Sequence, residues 1–203
     1  MPKISILCPS RQRAGLLRKS LASLGPVHEV LVRIDDDDPD LERYEAIEGI
    51  TLLKGERLGY ERLNEYINEL AAISTGDWLM LWNDDAIMET PDWQKPIDDF
   101  DPEMPAVLNV HKPQHNYFPL ISREFYNRLG EYSPSPNSDS YVAEVARLVG
   151  VEYDIPGIEI NHLRGTVNDP TEANSLRVAP LMSPIHEGFR AEDIPKAAKK
   201  VQG

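Results

Sequence analysis

"WLMLWNDDAIM", residues 78–88, sets a block of bulky apolar side chains directly against Asn83, Asp84 and Asp85. An apolar run without polar alternation marks a strand covered on both faces, so the two carboxylates fall at a strand terminus. Adjacent like charges repel at close range and need compensation. A hard divalent cation, Mg2+ or Mn2+, supplies it well, because such ions prefer oxygen ligands and complete their shell with substrate phosphates. The plainer alternative is a solvated turn in which Asp84 or Asp85 caps a backbone amide.

Outward from this stretch, strands and helices alternate. "KISILCP" (3–9) is a β-rich apolar run, and "RAGLLRKSLASLGP" (13–26) carries Leu17, Leu21 and Leu24 at helical spacing before a Gly25-Pro26 stop. "VHEVLVRI" (27–34) is a second strand running into Asp35–Asp38, and "ITLLKG" (50–55) a short third. In "GYERLNEYINELAAISTGD" (59–77), Tyr60, Leu63, Ile67, Leu70 and Ala71 share a helical face that Gly76 is expected to end. This alternation predicts an α/β domain with a mostly parallel sheet, in which ligands bind at the carboxyl ends of the strands. The polar clusters "PSRQR", "DDDDPD" and "NDDA" each follow a strand, so a parallel sheet gathers all three at one edge.

The second half is less regular. "TPDWQKPIDDFDPEMP" (90–105) reads as surface loop and "AVLNVHK" (106–112) as a strand. "SREFYNRLG" (122–130) predicts a short helix with Ser122 as N-cap and Gly130 beyond its end. "SDSYVAEVARLVG" (138–150) predicts another, with Val142, Val145, Ala146 and Val149 on one face. Beyond Asn161 the periodicity fades, and "EDIPKAAKKVQG" (192–203) reads as a mobile tail or a surface helix. The expected organisation is a single domain over 1–190, with a regular half (1–90) and a less regular half (91–190), and a tail over 191–203.

Lys and Arg total 21 against 34 Asp and Glu, a net charge of -13. Such a surface repels phosphate backbones and anionic lipid, so no nucleic acid is expected as a partner. No apolar run approaches the ~20 residues of a membrane span. The one cysteine, Cys8, lies in an apolar run and reads as a buried small hydrophobe. A cytoplasmic protein is the expectation.

Taken together, "ISILCPSRQRAGLLRKSLASL", "EVLVRIDDDDPD" and "GDWLMLWNDDAIM" resemble, in order and spacing, nucleotide-sugar-dependent glycosyltransferases of the GT-A type, closest to the family 2 group, with weaker likeness to about Asn168. The resemblance implies a GT-A (Rossmann-like) fold, a mixed and mostly parallel central sheet flanked by helices. It also implies a nucleoside-diphosphate sugar donor, a uridine nucleotide by default, and transfer to an unknown glycan or other hydroxyl acceptor, with Mn2+ or Mg2+ as cofactor. It places Pro9, Ser10 and Arg11 at the nucleotide, Asp36 at base or ribose with Asp35 as the near alternative, and Arg62 near the diphosphate, where Arg57 or Arg13 can also serve. Asp84 falls at the ribose or in support of the metal, and Asp85 on the metal itself. Many members carry Asp-x-Asp where this chain has Asn83-Asp84-Asp85, which leaves the number of protein ligands open.

For an inverting transfer a carboxylate must take the proton of the attacking hydroxyl. The resemblance points to Asp139 as that base, against its plain role as a first-turn acid favoured by the helix dipole. It points to His162 as a further metal ligand, against a structural histidine; His111, His115 and His186 have no comparable placement. Tyr117, Phe118, Trp82 and Trp93 can stack on a sugar face or pack the core. A calcium loop beginning at Asp36 is rejected, because its sixth position is Leu41 and its twelfth Ile47; Asp37, Asp38 and Asp40 read as a solvated acidic loop. Two other functions are weighed: a GT-A-like domain that binds nucleotide or protein without turnover, and a sugar-phosphate nucleotidyltransferase, which lacks its Gly-rich basic loop here.

Overall fold

Four parallel strands carry the first half of the chain. The computed structural model describes residues 1–110, 116–163 and 170–203, with side chains of the final helix described from His186. β1 (Ile4–Pro9), β2 (Glu29–Asp35) and β3 (Thr51–Gly55) are separated by α1 (Ala14–Ser23) and the short α2 (Leu41–Glu45). A 3-10 turn at Tyr60–Arg62 leads into α3 (Leu63–Ile73) and then β4 (Trp78–Leu81). The helix α3 stops short of Gly76 because Ser74 already turns extended, with ψ 145°. Gly76 instead permits a close approach. A Cβ there would lie 2.7 Å from the Ser5 amide nitrogen, so only glycine lets the chain pass this near to β1.

The second half adds β5 (Ala86–Met88), β6 (Val107–Asn109), β7 (Pro119–Ser122), α4 (Arg123–Leu129), α5 (Ser138–Val149), β8 (Glu152–Asp154), β9 (Ile160–His162) and α6 (Pro170–Gln202). Where a loop was expected over 90–105, a 3-10 turn at Lys95–Asp99 buries Ile97, beside buried Trp93. The main sheet runs β3-β2-β1-β4-β7-β6-β8, with β7 antiparallel to both β4 and β6; β5 and β9 form a separate antiparallel pair. This is the expected mixed, mostly parallel α/β sheet.

Successive residues of each central strand face opposite sides, and both sides are covered. Ile6, Cys8, Val32, Ile34 and Met80 lie in one apolar cluster, while Leu7, Leu31, Leu79 and Leu81 lie in the other. That is why β4 shows no polar alternation. Burial pushes the Cys8 thiol well above its ordinary pKa, with Asp84 and Asp85 adding to the shift. Ser122 accepts from the Phe125 amide as the N-cap of α4, and Gly130 and Gly150 close α4 and α5 in the left-handed conformation. The helix α6 runs straight through position 190 and sets Ile194, Ala197 and Val201 into the core. Residues 191–202 are therefore the end of a helix with one face buried and the other exposed, the surface helix of the two expected forms.

Candidate functional site

The chain leaving β4 is clamped by α1: the Trp82 indole donates to Ser20 Oγ at 2.7 Å, and Ser20 Oγ donates to the Asn83 carbonyl at 3.2 Å. The next two residues turn their carboxylates toward the loop after β1. Asp84, only 6% exposed, accepts from Ser10 Oγ at 2.6 Å through Oδ2 and from Arg13 Nη1 at 2.8 Å through Oδ1. Asp85 Oδ2 lies 3.4 Å from the same Arg13 nitrogen, and Asp85 Oδ1 lies 3.0 Å from His162 Nε2. All four carboxylate oxygens therefore face a partner. Because Ser10 gives its proton to Asp84, its oxygen accepts from the Tyr44 hydroxyl at 2.7 Å, and that hydroxyl in turn accepts the Arg13 amide at 3.0 Å.

His162 owes its position to the small second sheet. Ala86 stands opposite His162 in the β5–β9 register, and the Leu163 amide donates to the Asp85 carbonyl at 2.9 Å. The imidazole packs edge-on to Phe118 and Tyr117, with centroids 5.4 and 5.8 Å away.

At the β2 end, Arg11 Nη1 bridges Asp35 Oδ2 at 2.7 Å and Asp37 Oδ1 at 2.6 Å. The other Asp35 oxygen accepts from the Tyr66 hydroxyl at 2.6 Å, which itself accepts the Leu58 and Gly59 amides. Arg33, 2% exposed, lies over the Tyr66 ring and donates to Glu69 and the Glu56 carbonyl. Burial and the bond to Asp35 raise the Tyr66 pKa, so the phenol stays a donor at neutral pH.

The fold thus brings Ser10, Arg11, Arg13, Asp35, Asp84, Asp85 and His162 to one rim. Pro9 ends β1 immediately before them. Asp36 is exposed while Asp35 is buried, so the two acidic candidates at this strand end differ sharply in surroundings. Arg62 is not drawn to the carboxylates; it is exposed and paired with Glu65 one turn along, and of the three arginines considered Arg13 is the one set on Asp84 and Asp85. Asp38 departs from the expected solvated loop: it is buried, with its oxygens accepting the Gln12 and Asp40 amides at 2.9 and 2.8 Å. Trp82, Trp93 and Phe118 belong to the core, which leaves Tyr117 as the half-buried aromatic at the rim. His186 is buried, with Nδ1 2.9 Å from Ser135 Oγ; His111 and His115 lie outside the described residues. Tyr44 and Tyr66 are the site residues that sequence reasoning missed.

Asp139 occupies the first turn of α5 and accepts the Ser140 amide at 2.8 Å. Burial, with the Asp139 charge as a lesser influence, raises the pKa of Tyr132, whose hydroxyl meets the backbone of Leu81 and the Pro119 carbonyl.

The adjacent carboxylates are pushed apart in acidity. Burial is the larger influence on Asp84 and outweighs Arg13 and the Ser10 bond, lifting its carboxyl from 3.8 to about 6. Burial also acts upward on Asp85, but the His162 bond and charge, with Arg13, prevail and hold it below its ordinary value. A folded-state pKa above the unfolded one means that the folded chain binds the Asp84 proton more tightly between 3.8 and about 6. Stability therefore falls as pH rises through that window. In urea denaturation of the protein in EDTA, the stability of wild type relative to Asp84→Asn is expected to drop by about 2 kcal/mol between pH 4 and pH 7. A difference independent of pH would refute the raised value.

The donor set fits a hard divalent cation. Two donors on neighbouring vertices of an octahedral shell with bonds of about 2.1 Å stand roughly 3.0 Å apart, the separation seen between Asp85 Oδ1 and His162 Nε2. His162 Nε2 also lies 3.2 Å from the Asn83 side-chain nitrogen. Among the described residues no group of three or more His, Cys, Asp or Glu converges, so the rest of a shell would fall to substrate oxygens and water.

No protein-family model matches the sequence, and no curated protein is detectably similar to it. Solved structures are similar. A mannosyltransferase from Pyrobaculum calidifontis, in complex with GDP-Man and Mn2+, aligns with TM-score 0.64 and 18% identity over 99% of this chain and 73% of its own. Glucosyl-3-phosphoglycerate synthase from Mycobacterium tuberculosis, in complex with Mn2+, UDP and phosphoglyceric acid, aligns with TM-score 0.58 and 16% identity over 85% of this chain and 73% of its own. TarS of S. aureus aligns with TM-score 0.55 and 13% identity over 70% of this chain and 33% of its own. At these identities the likeness establishes the fold, which is the GT-A arrangement.

Proposed function

We propose that this chain is a glycosyltransferase that moves a sugar from a nucleoside-diphosphate sugar to an acceptor hydroxyl with inversion, using Mn2+ or Mg2+ held by Asp85 and His162. The observation that carries this is the 3.0 Å approach of Asp85 and His162 at the rim where Ser10, Arg11, Arg13 and Asp35 also meet. The Mn2+ and nucleotide complexes of the similar structures support the same class of donor and cofactor.

In this proposal Pro9, Ser10 and Arg11 line the nucleotide, with Asp35 holding Arg11 and exposed Asp36 free to reach base or ribose from the same strand end. Asp84 supports Asp85 through Arg13 and keeps Ser10 in place. Arg13 is the proposed diphosphate contact; an approach by Arg62 would first have to release Glu65. A bound divalent cation neutralises charge on the departing diphosphate. Asp139 takes the acceptor proton as the hydroxyl attacks, and Tyr117 lies beside His162 where a sugar face can rest. The acceptor is a glycan or another hydroxyl compound.

A thermal-shift screen of UDP, GDP and their sugars with and without Mn2+ tests this. Stabilisation by at least one nucleoside diphosphate, strengthened by Mn2+, is expected, together with slow Mn2+-dependent hydrolysis of the matching donor. A melting temperature indifferent to every nucleotide would sink the proposal. Asn83 motivates a second reading, a nucleotide binder without turnover, for which stabilisation would come without any hydrolysis or transfer.

A further inference from the structure

Arg13 is the cation already placed on the carboxylates. Its Nη1 lies between Asp84 Oδ1 at 2.8 Å and Asp85 Oδ2 at 3.4 Å, and its side chain is 12% exposed. The backbone beneath is fixed independently: the Arg13 amide donates to Tyr44, and its carbonyl accepts the Leu16 and Leu17 amides at the start of α1. The guanidinium can therefore change partners while the loop stays where it is.

We propose that Arg13 is a built-in counter-ion that makes cation binding at Asp85 conditional on the sugar-nucleotide donor. This rests on the assignment of Asp85 and His162 as cation ligands. Without donor, the guanidinium holds both aspartates and opposes a second positive charge beside them. A diphosphate offers the planar fork of Arg13 an alternative partner of the same geometry as a carboxylate. Once the guanidinium turns to the phosphates, Asp85 Oδ2 is released and the metal-diphosphate pair binds as a unit. Arg13 is in this scheme a residue that sets the order of binding, with cation and nucleotide strongly coupled.

The test is a Mn2+ titration followed by electron paramagnetic resonance, on wild type, Arg13→Gln, Arg13→Met and Arg13→Lys, each with and without UDP or GDP. Circular dichroism melting verifies the fold of each variant. The two neutral variants are expected to bind Mn2+ alone about tenfold or more tighter than wild type, while the gain in Mn2+ affinity conferred by nucleotide shrinks by a similar factor. Arg13→Lys, which keeps the charge, should bind Mn2+ alone as weakly as wild type. Neutral variants that bind Mn2+ alone no tighter than wild type would overturn the inference and leave the Asp85–His162 assignment standing. Wild type that binds no Mn2+ even with nucleotide would overturn both. If neither neutral variant folds, wild type decides: Mn2+ and nucleotide affinities that are independent of each other refute the coupling.

Discussion

Asp85→Ala is expected to weaken Mn2+-dependent binding of nucleoside diphosphate by about a hundredfold or more, roughly 2.7 kcal/mol, with little change in the fold. The size follows from removing one of the two side chains proposed as cation ligands, where no group of three or more His, Cys, Asp or Glu converges among the described residues. The fold survives because the structural work at position 85 is done by its backbone: the Asp85 carbonyl accepts the Leu163 amide, and Ala86 continues into the β5–β9 register. Arg13 keeps Asp84 as a partner, so the substitution leaves no uncompensated buried cation, which would otherwise cost several kcal/mol. Isothermal calorimetry with UDP and GDP, with Mn2+ or EDTA, separates the two parts. The variant should retain the weak metal-free affinity of wild type and lose the increment due to Mn2+. An undiminished increment would move the metal to other ligands.

Why so much of this rim was legible from sequence can be seen at β4. Its four residues are buried on both faces, so the apolar run announces a central strand, and the parallel pairing to β1 puts the ends of β1, β2 and β4 side by side. Polar clusters after each strand must then meet, whatever the details of the loops. Arg11 with Asp35, and Arg13 with Asp84 and Asp85, are that meeting. The helices α4 and α5 were equally legible because their stops depend on single glycines at positive φ.

What stayed hidden depends on long-range register or on burial of polar atoms. β5 and β9 have three residues each, too few for any period, and only their pairing carries His162 to Asp85. Tyr44 and Tyr66 look like ordinary core aromatics in sequence. Their hydroxyls matter because they reach Ser10 and Asp35 across 34 and 31 residues of chain. Asp38 sits in a run of acids that composition marks as solvated, yet two backbone amides bind it locally. In α6, Pro180, Pro184, Gly188 and Pro195 read as helix breakers, and they mask the spacing of Ile194, Ala197 and Val201 that docks the end of the helix in the core.

Asp139→Asn separates chemistry from architecture, and it should lower kcat by about a thousandfold while donor affinity stays at the wild-type level. Positioned general bases contribute about a hundred- to ten-thousandfold, so an effect of this size is what loss of the base alone would produce. As a mere first-turn acid, the carboxylate would be worth only about 0.3 to 1 kcal/mol to α5, and asparagine preserves the oxygen that accepts the Ser140 amide. Melting should accordingly shift little. The catalytic part proposed for Asp139 rests on its place in the first turn of α5. Two measurements decide between the roles: single-turnover rates at saturating donor, and the acid limb of the pH–rate profile, which a lost base removes and a loosened helix does not. Wild-type turnover with an intact acid limb would assign the proton to a different carboxylate on the acceptor side of the sheet.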